Sequence, residues 1–93
     1  MFERILNQMR DKVRTRQYVM TLHANEEMEE DDLTIFDIES VVLSGSIIER
    51  QKDQQTSEWK YLIKGETLNG ESVIAITKIG PTDKLIFITV YRD

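Results

Sequence analysis

The hydrophobic period of this chain changes at Gly45, and that change constrains the fold more than any other feature. Before Gly45, apolar residues recur every three or four positions, the spacing of one helical stripe. After it they recur every second position, the spacing of a strand with one covered face. Phe2, Ile5, Leu6, Met9 and Val13 make the first stripe, leaving Arg10, Asp11, Lys12 and Arg14 to water. Arg16 to Thr21 reads as a connection or a short strand. Leu22, Ala24 and Met28 mark a short, mostly polar second helix from about Leu22 to Asp31. The third helix carries a full start signal. Thr34 can cap, Asp37 stands three residues on as a short form of the capping box, and Leu33 can staple to Ile38. Ile35, Ile38, Val41 and Val42 form its buried stripe, and Gly45 stands where a left-handed residue would stop it.

Four strand-like runs follow: Ser46 to Gln51, Trp59 to Lys64, Val73 to Ile79 and Leu85 to Tyr91. Lys52 to Ser57 is a polar loop, and Gly80-Pro81-Thr82-Asp83 is a turn. Leu68-Asn69-Gly70-Glu71 offers a tight two-residue hairpin turn with positive φ at both central residues. The last two runs are apolar on both faces, which predicts central strands covered on both sides. Helix three can cover one face; the other requires helix one or a second copy of the chain, because Ile86, Ile88 and Val90 are too apolar for water. The expected architecture is α+β: two or three N-terminal helices followed by an antiparallel sheet of about four strands in a meander. Ninety-three residues make one domain, residues 1–20 being a basic helix with its connection and 21–93 the core.

The chain has no cysteine, so disulfides, thiolate metal sites and thiol nucleophiles are excluded, and a reducing compartment, the cytoplasm, is expected. The apolar runs are of strand length, and Met1-Phe2-Glu3-Arg4 does not lead into a signal-peptide core, so neither membrane spanning nor export is expected. The net charge of −5 is unevenly laid out. Residues 1–20 hold Arg4, Arg10, Lys12, Arg14 and Arg16 against Glu3 and Asp11. Residues 21–40 hold Glu26, Glu27, Glu29, Glu30, Asp31, Asp32, Asp37 and Glu39 with no base at all. The overall acidity opposes nonspecific nucleic-acid binding, although Arg10, Lys12 and Arg14 form a local basic face. No glycine-rich phosphate loop, nucleophile elbow or dinucleotide fingerprint is present.

From Thr21 onward the chain resembles the domain-of-unknown-function family numbered 4258, small bacterial and phage domains grouped with the RelE and BrnT toxin-like ribonuclease fold. The resemblance rests on His23-Ala24 with Met28, Leu33-Thr34, Asp37-Ile38, Leu43 with Gly45, Ile47-Ile48-Glu49, Tyr61-Leu62-Ile63-Lys64-Gly65 and Ile88-Thr89-Val90-Tyr91. It implies a toxin-antitoxin-like protein with a ribonuclease-like fold. Glu27 and Asp31 depart from the pattern, standing where the family tends to carry arginine.

A metal-independent ribonuclease needs a base for the ribose hydroxyl, an acid for the leaving oxygen and cations beside the phosphate. His23, the only histidine, suits the first or second role. Lys60, Lys64 and Arg92 supply candidate cations, and Tyr91 a second proton carrier. His23 can instead serve only to fix its helix by a hydrogen bond, and that is the favoured reading. Trp59, Tyr61 and Tyr91 can stack on bases if exposed, or lie in the core. His23, Glu26, Glu27 and Glu30 share one helix face, but the spacing is that of an ordinary solvated acidic surface, and neither a metal nor another cofactor is expected. Two functions follow. One is an RNA-cleaving or RNA-binding protein. The other, favoured by the reversed charge at Glu27 and Asp31, is a non-enzymatic interaction module. Its acidic helix would engage a basic partner; the expected partners are RNA, an antitoxin-like protein, or a second copy bound through the sheet or the first helix.

Overall fold

Thr34 and Asp37 set the third helix as the sequence predicts. The Thr34 hydroxyl accepts from Asp37 N, the Asp37 carboxylate accepts from Thr34 N, and Leu33 and Ile38 both enter the core. In this computed structural model, which describes residues 1–93, the chain runs α1 (Glu3–Arg14), β1 (Tyr18–Met20), α2 (Leu22–Glu30), α3 (Ile35–Ser44), β2 (Ser46–Lys52), β3 (Trp59–Glu66), β4 (Ser72–Ile79) and β5 (Leu85–Arg92). The fold is α+β. β2 to β5 form the expected antiparallel meander, with β4 and β5 inside the sheet. The short strand at Tyr18–Met20 adds a fifth member: β1 pairs parallel to β5, giving the order β1-β5-β4-β3-β2 and a mixed sheet.

All three helices lie on one face. Leu6, Met9 and Val13 of α1, Ala24 and Met28 of α2, and Ile38, Val41 and Val42 of α3 share one cluster with Ile63, Val73, Ala75, Leu85, Phe87 and Val90 of the sheet. Within it the buried Thr77 hydroxyl donates to Tyr61 O at 3.1 Å. The expectation that helix one would cover the second face is therefore corrected. Its apolar stripe joins the core already built on α3, and Arg10 fastens it there, Nε donating to Val42 O (3.2 Å) and Nη2 to Gly45 O (2.8 Å). Arg10 thus satisfies carbonyls at the end of α3 that have no partner within the helix.

Gly45 does not stop α3 in the left-handed region; it is extended, with φ −93° and ψ −172°. A glycine is needed there for space, since a Cβ would meet Lys64 O at 2.4 Å and Val41 O at 2.5 Å. The Asn69-Gly70 turn also differs from expectation. Thr67 N donates to Glu71 O and Gly70 N to Thr67 O, and only Gly70 has positive φ, so the loop has three residues with glycine in the left-handed position. The Gly80 turn repeats this pattern, with Asp83 taking the positive φ of 65°.

The sheet ends on one side at β2, whose outer edge pairs with no strand and whose register against β3 shifts between Ile47 and Glu49. At the other side β1 covers only the first half of β5, and α2 seals the rest. Glu27 Oε1 accepts from Val90 N at 3.1 Å, Thr21 Oγ1 donates to Ile88 O at 3.0 Å, and Arg92 Nη2 donates to Asp31 O. No helix is long and apolar enough to cross a membrane.

Candidate functional site

Period two assigns every second strand residue to the face that no helix covers. The register puts three rows of side chains there. Lys64, Ile74 and Tyr91 form one row, and Glu49, Leu62, Ile76 and Thr89 the next. Continuing the same pairing places Lys60 beside Lys78, followed by Ile86 and Val19. Leu62 and Ile74 are only 8% and 7% exposed, yet neither belongs to the core cluster. Their neighbours on the strands shelter them, and the lysine ammonium groups reach carboxylates. Each lysine is held by a carboxylate at the rim: Lys64 Nζ to Asp93 at 2.7 Å, Lys78 Nζ to Glu58 at 3.2 Å and Lys60 Nζ to Asp53 at 3.9 Å. Hydrogen bonds from Gln55 N and Thr56 N, with Lys60 nearby, hold the Asp53 carboxyl below its ordinary range. The Lys64 hydrogen bond does the same for Asp93.

The structure thus brings Lys60, Lys64 and Tyr91 of the sequence candidates onto one face. It does not bring His23 or Arg92 to them. His23 is 66% exposed on α2, its Nε2 3.3 Å from the Glu27 carboxylate that also accepts from Val90 N. Arg92 follows Tyr91 and so points to the helix side, pairing with Glu71 and the Asp31 carbonyl. No cavity is lined by His23, Lys60, Tyr91 or Arg92. Lys64 borders a shallow polar depression of about 230 Å³ between Ser44 and Ser72.

The basic face of α1 is engaged within the fold. Arg10 caps α3, Lys12 is 13% exposed and lies 3.0 Å from Asp83, and Arg14 pairs with Asp11. On α2, Glu27 is turned to β5, which separates it from the exposed Glu26 and Glu30, and no three His, Asp or Glu side chains converge as metal ligands. Tyr61 packs edge-on to Phe2, and Trp59 carries Arg50 3.9 Å above its ring.

Sequence reasoning missed Lys78 on the open face and the roles of Glu27 and Arg10 inside the fold. Lys78 was hidden by the turn, because the two-residue turn expected at Asn69-Gly70 sets Ile79 opposite Lys60 and only the observed three-residue loop sets Lys78 there. Nothing in the spacing marks Glu27 apart from its acidic neighbours.

Residues 20–92 fit a family model described as a domain of unknown function (DUF4258). No curated protein and no solved structure matches the chain.

Proposed function

The chain belongs to the DUF4258 family of domains of unknown function, and from that premise we propose that it is a non-enzymatic interaction module which binds a protein partner through the helix-free face of its sheet. The observation that carries this reading is the helix-free face of the sheet, on which Val19 is exposed and Ile76 and Ile86 are partly exposed beside the sheltered Leu62 and Ile74. A sheet face left without a helix, with apolar side chains partly exposed on it, is a candidate docking surface. RNA cleavage is supported less well. Its histidine is tied to Glu27 on α2, its lysines already have carboxylate partners, and phosphate and ribose gain little from a floor of isoleucine.

Site-directed photo-crosslinking in the producing cell tests this. A crosslinker at Ile76 is expected to give a discrete protein adduct, and one at Gln8, on the exposed side of α1, is not. Absence of an adduct at Ile76 overturns the reading. So does cleavage of RNA by the purified protein that is abolished in the Lys60→Ala, Lys64→Ala double variant. His23→Ala is expected to leave both adduct and fold unchanged, since the ring is exposed and makes one contact.

A further inference from the structure

β2 leaves its outer edge unpaired, and α1 lies beside it. Arg10 Nη2 reaches Gly45 O at 2.8 Å, Leu6 shares a cavity with Ser46 and Ile47, and the Phe2 ring lies 6.0 Å from the Arg50 guanidinium, so the helix runs antiparallel to the strand along its covered side. The cavity between them, of about 420 Å³, is lined by Met1, Phe2, Glu3, Leu6, Ser46 and Ile47. The register assigns the remaining side chains of the edge. Arg50 and Lys52 stand opposite Tyr61 and Trp59, and Tyr61 packs against the core, so both cations face the helix side. Glu49 and Gln51 face the other side, where the Gln51 amide donates to the Glu49 carboxylate. Arg50 lies 3.9 Å above the Trp59 ring and Lys52 lies 5.7 Å from it. Unlike Lys60, Lys64 and Lys78, neither has a carboxylate within ion-pair distance.

We propose that this edge takes an extended, acidic segment of a partner protein, which adds to the sheet as a further strand. Three observations define the segment. The unpaired backbone of β2 offers donors and acceptors that an extended chain satisfies in series. Side chains alternate along a strand, so the added strand turns one set toward α1, where the cavity beside Ile47 takes an apolar side chain. On the same side Arg50 and Lys52 donate to carboxylates, a guanidinium stacked on an indole keeping its N–H edge for a bidentate partner. An antiparallel strand, which pairs slightly better than a parallel one, therefore reads acidic-x-acidic-x-apolar from its N-terminus. A second copy of the chain fits less well. Two-fold pairing centred on Ile47 or Ile48 sets Arg50 and Lys52 against serine or valine, which leaves both cations without a carboxylate. Single-stranded RNA fits less well too, because Arg50 already covers a face of Trp59 and the backbone edge would go unmatched. The cavity and both cations lie on the helix side, so this site stands or falls separately from docking on the open face.

The probe is a synthetic peptide carrying glutamate-threonine-glutamate-threonine-leucine, titrated into the full chain and followed by NMR. Chemical-shift changes at Phe2, Leu6 and along Ser46–Lys52 are expected, with slowed amide exchange on β2. Replacing both glutamates by lysine is expected to weaken binding roughly tenfold, as two surface charge pairs allow. Methylating the peptide's backbone nitrogens is expected to abolish it. Arg50→Glu and Lys52→Glu are each expected to weaken it several-fold, and Lys52→Glu leaves the stack of Arg50 on Trp59 in place, so the test survives if the Arg50 variant unfolds. No binding of the glutamate peptide, equal binding of the lysine or N-methylated peptide, or shifts at Leu62 and Ile76 instead of β2 overturns the proposal. So does displacement of the peptide by single-stranded RNA, or a dimer in sedimentation whose β2 amides are protected before peptide is added.

Discussion

Asp37 accepts from Thr34 N (2.9 Å) and Thr34 Oγ1 (3.1 Å) on one carboxylate oxygen and from Leu68 N (3.2 Å) on the other, so one side chain ties the start of α3 to the β3–β4 turn. The bond from Thr34 N contributes most, burial opposes it, and the bond from Leu68 N and the charge of Arg92 add to it. The outcome is a carboxyl held below its ordinary value of 3.8. The folded state therefore favours the ionised form, and the stability it contributes is present above pH 3.8 and lost as pH falls through the lowered folded value. Asp37→Asn is expected to cost about 1–2 kcal/mol at neutral pH and to make the acid limb of stability shallower. Urea denaturation of both proteins from neutral pH down to about pH 3 checks this, and parallel curves would show that Asp37 carries none of the acid sensitivity. The capping box was legible because both its residues lie within one turn. The bond to Leu68 was not, since it links positions 31 residues apart.

At the scale of elements, α3 packs on β3 so closely that backbone sets the spacing. A Cβ on Gly65 would lie 2.1 Å from Val41 O, and the neighbouring Val41 backbone leaves nothing flexible to yield. Gly65→Ala is expected to lift α3 from the sheet and cost about 3 kcal/mol. Gly70→Ala meets no atom, keeps only the strain of its φ of +83°, and should cost about 1 kcal/mol. Equal midpoint shifts for the two in denaturant titrations would contradict this account of the packing. These contacts also show how far local pattern reaches. The helices and the antiparallel meander are legible because period and turn chemistry agree along each segment. The partners across β3 and β4 are not, because a two-residue turn puts Lys60 opposite Ile79 whereas the three-residue loop puts it opposite Lys78. One residue of loop length exchanges the neighbours on both faces of a hairpin, and it decided which cations meet on the open side. The placement of α1 was illegible for a similar reason: a stripe of Leu6, Met9 and Val13 says that a helix is covered, not which face of a sheet it covers.

Across the whole molecule, residues 1–20, all but the last of them outside the family-matched segment, complete its core. They bring three buried side chains, the Arg10 cap of α3 and the strand beside β5. At about 1.5–3 kcal/mol for each large apolar side chain, their removal approaches the total stability of a small domain. Residues 21–93 alone are expected to lose cooperative thermal unfolding and to bind a hydrophobic dye. A sharp transition near that of the full chain would show that α1 is dispensable. The opposite end of the sheet has a consequence of a different kind. β2 offers an unpaired backbone edge seven residues long, a ready template for stacking one copy on another into fibrils. A two-fold antiparallel pairing must keep each face continuous, so its axis has to pass through a residue. Centred on Glu49 it opposes Glu49 to itself, on Arg50 it opposes Arg50 to itself, and on Gln51 it sets Arg50 against Lys52 and Glu49 against Asp53. Like charges opposite one another destabilise a ladder, so the order Glu-Arg-Gln-Lys disfavours self-pairing along the second half of this edge, and only registers centred on Ile47 or Ile48 escape a like-charge clash.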